Sequence, residues 1–202
     1  MIYLKSASEI EKMKEAGRIV YETFGVLQKN IKPGITTAEL DKIAYDFITS
    51  QGAKPSFLNY CGYPASVCAS VNDTVIHGIP SKKIKLKEGD IISLDIGAVK
   101  NGFHGDAART YPVGKISDEA QRLIDVTRES FYEGLKYVRH GERLGTVQAA
   151  IQNYVEKNGF SIVRNYCGHG IGRQMHESPE IPNYGTAGKG IRLAKGMTIA
   201  IE

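Results

Sequence analysis

Apolar residues recur at helical spacing in four stretches of the chain. Ile10, Met13, Val20, Phe24 and Leu27 line one face of a first helix, opened by overlapping Ser6/Glu9 and Ser8/Glu11 capping patterns. Thr36 and Glu39 form the same box before Leu40, Ile43, Ala44, Phe47 and Ile48, and Gly52 stops that second helix. Ser117-Asp118 opens a third, carrying Leu123, Val126, Phe131, Leu135 and Val138. After Gly141 a fourth carries Val147, Ile151, Tyr154 and Val155 as far as Gly159. All four stripes read as core. Between the helices lie β-like stretches, with Gly and Pro clusters at 62–64, 78–80, 112–114 and 168–172 expected as turns. The predicted fold class is α+β, with helices packed on one face of a largely antiparallel sheet.

The order of these elements is duplicated. Asn59-Tyr60-Cys61-Gly62 returns as Asn165-Tyr166-Cys167-Gly168, an offset of 106. Gly34 answers to Gly141, Gly52 to Gly159, Gly89 to Gly196 and Asp95 to Glu202, each an offset of 107. Anchors in one order at a nearly constant offset point to two structurally related halves.

Residues 91–98 change the period from 3.6 to 2. Ile92, Leu94, Ile96 and Ala98 point one way; Ser93, Asp95 and Gly97 point the other. Asn101-Gly102 follows, the strongest short-range signal for a type I′ hairpin. With those two residues as the turn, paired positions sum to 203, so Asp106 faces Gly97 and lies diagonal to Asp95 on one face. A bulge at Gly105 would alter that register. Two acids together are either solvated or joined by a cation. The face is otherwise Ser, Gly and Ala, without Lys or Arg until Arg109, which favours the cation.

Composition narrows the classes. At 202 residues the chain fits one generous domain or two small ones, and 42% apolar with 24% charged residues excludes disorder. It lacks the long apolar run of a membrane span, and its first residues do not read as a secretory signal. Cys61, Cys68 and Cys167 are an odd number without a Cys-x-x-Cys pair, which argues for a reducing compartment and against a thiolate cage. Net charge is 26 − 22 = +4, mild enough to argue against nucleic acid as a direct substrate. The expectation is a soluble cytoplasmic protein.

Five histidines remain to be placed. His169 sits in Cys167-Gly168-His169-Gly170-Ile171-Gly172, His176 seven residues further on, and His77 in Ile76-His77-Gly78-Ile79-Pro80. Each alone is more often a hydrogen-bonded structural residue than a ligand. His104 shares a strand face with Asp106, and His140 lies at a charged helix end, where solvation is expected. Glu202 ends the alternating stretch Met197–Glu202. Carboxylates with imidazole and no thiolate suit a borderline-hard divalent ion such as Mn, Fe, Co or Zn.

The segments Asn59–Asn72, His77–Pro80, Gly89–Asp95, Gly102–Asp106 and Cys167–Gly172 together resemble type I methionine aminopeptidase of the bacterial subtype, in order along essentially the whole chain. The resemblance implies the pita-bread fold: one peptidase domain over 1–202 with two pseudo-symmetric α+β halves around a central site. It implies removal of the initiator methionine from nascent chains whose second residue is small, with two divalent metals between the halves. By position, Asp95, Asp106, His169 and Glu202 match metal ligands, with Glu202 also as general base. His77 and His176 match groups that contact substrate and steady the tetrahedral intermediate. Tyr60, Tyr63, Cys68 and Met175 match the pocket for the thioether side chain. Transient contact with the ribosome is the expected partner interaction, with no membrane involved.

In the family, a further hairpin strand follows the glutamate matched by Glu202 and carries a fifth ligand, whereas this sequence stops at Glu202. The expectation is therefore a C-terminally truncated chain with a weak second metal and impaired activity. A proline-directed peptidase of the same fold and a non-catalytic pita-bread binding module stand as the alternatives.

Overall fold

The computed structural model describes all 202 residues, and its helices begin where the capping patterns place them. Helix α1 spans Ala7–Gln28 and uses the Ser6/Glu9 pattern: Ser6 N–H donates to Glu9 Oε2 at 2.9 Å, and Glu9 N–H donates back to Ser6 Oγ at 3.3 Å. Helix α2, Thr37–Ser50, closes the Thr36/Glu39 box in both directions. The hydrogen bonds from Thr36 hold the Glu39 carboxyl below the usual range.

The chain divides into two units. The first comprises Glu11–Gln121 with Arg173–Met175; the second comprises Met1–Ile10, Arg122–Gly172 and His176–Glu202. In the first unit, β1 (Lys54–Pro55), β2 (Val67–Val71), β3 (Ile91–Lys100) and β4 (Phe103–Pro112) form one antiparallel sheet. The β3–β4 ladder runs unbroken from Lys100↔Phe103 to Ile91↔Pro112, around Asn101 and Gly102 at φ 53° and 77°. No bulge forms at Gly105. Glycine is required there for another reason: a Cβ would lie 2.7–2.8 Å from the α1 backbone at Gly17 and Ala16.

Alternation then sorts the two faces. Val67, Ala69, Ile92, Leu94, Ile96 and Ala98 are buried against Ile19, Val20, Phe24 and Leu27 of α1 and Leu40, Ala44 and Ile48 of α2. Cys68, Ser70, Ser93, Asp95, Gly97, Asp106 and Thr110 share the opposite face. Arg109 pairs with Leu94 and turns to the helix side, its guanidinium 5.3 and 5.0 Å from the rings of Tyr21 and Phe24.

The second unit repeats this plan. Helix α4 is Leu144–Lys157, which is α2 displaced by 107 at both ends; α3 (Asp118–Leu135) ends 107 residues after α1. The isolated bridge Thr36↔Lys85 returns as Arg143↔Arg192. The bond from Gly34 N–H to Leu86 O returns from Gly141 N–H to Leu193 O, at 2.7 and 2.8 Å. Gly34, Gly52, Gly89 and their counterparts Gly141, Gly159 and Gly196 all have positive φ. The duplication is therefore structural, carried by helix lengths and turn conformations and not by side-chain identity.

Three expectations need correction. The α3 stripe is core only in part: Val126 is buried and Val138 packs against the second core, but Leu123, Phe131 and Leu135 are 40, 38 and 44% exposed, and the buried line is Val126, Ser130 and Gly134. Small residues win because α4 packs close, with Ile151 Cγ1 2.6 Å from where a Gly134 Cβ would sit. Gly168–Gly170 is not a turn but β5, the central strand between β6 (Glu177–Ile181) and β7 (Ile199–Ala200). The alternating stretch at 197–202 pairs only over Ile199–Ala200, which is β7. The two Asn-Tyr-Cys-Gly copies also differ: Tyr60–Gly62 makes one 3-10 turn, whereas Gly168 already enters β5.

Candidate functional site

In the first unit, Asp95 pairs with Cys68 on one side and Ala108 on the other, while Asp106 pairs with Gly97. The two aspartates thus stand diagonally on one face, about 7–8 Å apart at the backbone, both half-buried. The one basic residue at the paired positions of that face is Lys54, exposed at the far end of the ladder opposite Val99.

Cys68 belongs to a small buried cluster with Phe57 and Met175, against which Tyr63 packs. Tyr63 OH lies 3.0 Å from the carbonyls of both Val67 and Gly78, and its single proton is shared between these two acceptors. Burial pushes the Tyr63 phenol well up and the Cys68 thiol up to about 12, so both are neutral at ordinary pH. Tyr60 lies outside this cluster and is 39% exposed. Phe57 was missed by sequence reasoning, and it depends on Gly97: a Cβ there would lie 2.8 Å from Phe57 Cε1.

His77 follows directly. Its neighbour Gly78 is tied to β2 through a 2.8 Å bond from Ala69 N–H to Gly78 O and a 3.1 Å bond from Gly78 N–H to Ser70 Oγ. His77 itself is exposed and adopts φ 57°, a left-handed conformation that a non-glycine residue rarely holds.

In the second unit, His169 occupies the middle of β5, where β6 and β7 flank it and leave it 8% exposed. Its Nδ1 lies 2.8 Å from the Gly170 carbonyl, which can only accept, so Nδ1 carries the proton. Nε2 faces Glu202 Oε1 at 3.0 Å. Ile199 and Ile201 pack toward the apolar core of α4, and Glu202 alternates to the His169 side. The His176 ring stands edge-on to His169 with centroids 4.3 Å apart. His140 is exposed at the surface, where Lys195 N–H reaches its Nδ1 at 3.3 Å. His104 Nδ1 sits 2.8 Å from Ser56 Oγ, 48 residues away in sequence.

The donor sets fit a divalent cation. An imidazole whose Nδ1 proton is committed offers only a lone pair at Nε2 when neutral, and it meets a carboxylate oxygen. Two acceptors at that distance need a proton or a metal between them. The aspartate pair poses the same demand on its sheet face.

The metallopeptidase family M24 matches residues 11–202. Over 202 residues the chain is 55% identical both to methionine aminopeptidase of Clostridium acetobutylicum and to methionine aminopeptidase 1 of Bacillus subtilis, spanning 81% of the length of each. Among solved structures, methionine aminopeptidase from Thermotoga maritima superposes with a TM-score of 0.98 at 47% identity, over all of this chain and 81% of that one.

Proposed function

The chain belongs to metallopeptidase family M24, as a methionine aminopeptidase, and we propose from this premise that it removes the initiator methionine by means of Asp95, Asp106, His169 and Glu202 as metal ligands. Its fold is the pita-bread α+β fold of that family. The observation that carries the ligand assignment is the His169 ring, with Nδ1 held by Gly170 and Nε2 turned to Glu202. Co, Mn, Fe and Zn all suit such a set, two ions being the expected complement. When bound, divalent ions supply Lewis acidity that polarises a scissile carbonyl and brings the pKa of water toward neutrality.

The chain's own groups do the rest. Glu202, 33% exposed at its side chain, can take a proton from an attacking water as general base. His77 and His176 lie exposed and can donate to the substrate carbonyl as charge develops on its oxygen. Tyr63, Cys68, Met175 and Phe57 offer a neutral, polarizable surface suited to a thioether, and Tyr60, exposed and hydrogen-bonded through its backbone to Phe57 and Tyr63, is assigned to its margin. No helix is long and apolar enough to cross a membrane. A nascent-chain substrate places the enzyme in the cytoplasm, in passing contact with the ribosome.

Hydrolysis of Met-Ala-Ser with added Mn or Co, beside a peptide with proline second, tests this reading. Release of free methionine from Met-Ala-Ser alone is expected. Cleavage of the proline peptide instead would make the chain a proline-directed peptidase, and binding without cleavage a non-catalytic module. His77→Ala and His176→Ala should each lower turnover by about 10²–10³ with metal content unchanged; metal loss in step with activity would make them ligands.

A further inference from the structure

A buried ion pair outside the groups named so far adjoins His176. Lys5 Nζ lies 2.5 Å from Glu177 Oε2, and the two side chains are only 6% and 4% exposed. Pairs on the helix surfaces, such as Lys14–Glu11 at 67% and 69%, are of a different kind. Lys5 is threaded through the second unit: its N–H donates to Gly196 O at 2.7 Å, and Nζ also donates to Tyr3 O at 3.1 Å. Gly172 lies directly on the pair, since a Cβ there would come within 2.6 Å of Glu177 Oε1 and 2.8 Å of Lys5 Nζ. The last glycine of Gly168-His169-Gly170-Ile171-Gly172 is thus explained by Lys5 and Glu177.

Stability alone is a poor reason for such a pair. Two charges taken out of water rarely outperform apolar residues of similar volume, whereas removing one partner is costly. The geometry offers another reason. Glu177 opens β6 and turns inward to Lys5, while its neighbour His176 is exposed and stands against His169. His176 ends the bend that leads directly into Glu177, so pinning Glu177 fixes the backbone from which the His176 ring projects. His169 is joined to the same anchor through Gly172, because Ile171 between them is fastened to Thr198 by a 3.1 Å backbone bond.

We propose that Lys5 is a positioning residue which, through its buried pair with Glu177, aims the His176 imidazole at substrate beside His169. The role in turnover rests on the aminopeptidase reading; the orientation of the ring does not.

The test compares wild type with Lys5→Met and with Lys5→Met/Glu177→Leu. The single variant leaves a buried carboxylate unpaired and is expected to lose stability. The double variant removes both charges and should melt near wild type. In the double variant kcat for Met-Ala-Ser should still fall by about 10–100-fold, the usual cost of losing a group that orients a site residue, with KM little changed. The readout independent of activity is the ¹³Cε1 histidine spectrum of metal-free protein, with His176 assigned through His176→Gln. Its resonance should move in the double variant while that of His140 stays. A double variant with wild-type kcat and an unmoved His176 resonance would overturn the proposal, leaving Lys5 a structural residue only. If wild type fails to hydrolyse Met-Ala-Ser, the functional reading falls, and the resonance comparison still decides the positioning.

Discussion

Replacing either aspartate of the hairpin by asparagine tests the metal assignment most directly. Asp95 and Asp106 lie on the polar face of the β3–β4 ladder, while Ile92, Leu94, Ile96 and Ala98 hold the core from the other face. Asparagine is nearly isosteric and removes one of two like charges from a half-buried face, so the metal-free protein should lose no stability. Metal-linked stability is another matter. At metal one hundred times the dissociation constant, binding adds about 2.7 kcal/mol to wild type. For a domain of this size that is a rise in Tm of roughly 5–11 °C, at about 2–4 °C per kcal/mol. A hundredfold loss of affinity brings the metal to its dissociation constant, where the gain shrinks to about 0.4 kcal/mol, or roughly 1–2 °C. Calorimetric melts with and without Mn, together with elemental analysis, measure both quantities. Ser93→Ala, on the same face and bonded to Thr110 at 2.7 Å, serves as the control and should keep the full shift. If both asparagine variants retain the Mn-induced rise and the metal content of wild type, the hairpin does not hold metal and the account of the site is wrong.

Cys61 is exposed and Cys68 is buried with its thiol raised to about 12. Iodoacetamide at pH 7.5 should therefore modify Cys61 and leave Cys68 intact, as read by peptide mass spectrometry; the raised value means that thiolate appears at Cys68 only as pH climbs well into the alkaline range. Equal labelling of both at pH 7.5 would contradict the buried cluster. Gly134→Ala should destabilise the protein by about 1–3 kcal/mol in denaturant unfolding, because overpacking against Ile151 outweighs a helix-propensity gain of about 1 kcal/mol. A stabilised variant would mean that α3 and α4 are not in close contact there.

Much of the architecture is decided locally and was therefore readable from residue order. Capping boxes at Ser6/Glu9 and Thr36/Glu39, glycines with positive φ at 34, 52, 141 and 159, and the Asn101-Gly102 turn act over three or four residues. The turn sets the register, and a period of two then puts Asp95 and Asp106 on one face whatever surrounds them. The candidate residues were legible by resemblance to a family; their partners were not.

What tertiary structure decided is which apolar or glycine residue meets which neighbour. Pattern alone put Leu123, Phe131 and Leu135 in the core, but the close approach of α4 selects Ser130 and Gly134 instead. Glycines flanking His169 read as a turn, yet they serve a central strand whose neighbours leave no room for a Cβ. Phe57 enters the cluster of Cys68 and Met175 only because Gly97, forty positions away in sequence, is vacant above its ring. Lys5 carries no signal in the sequence that sets it apart from other lysines, and packing alone buries it against Glu177. Local rules carry information over a turn or a strand pair; distances between distant segments are set by the volumes that fill them, which no periodicity encodes.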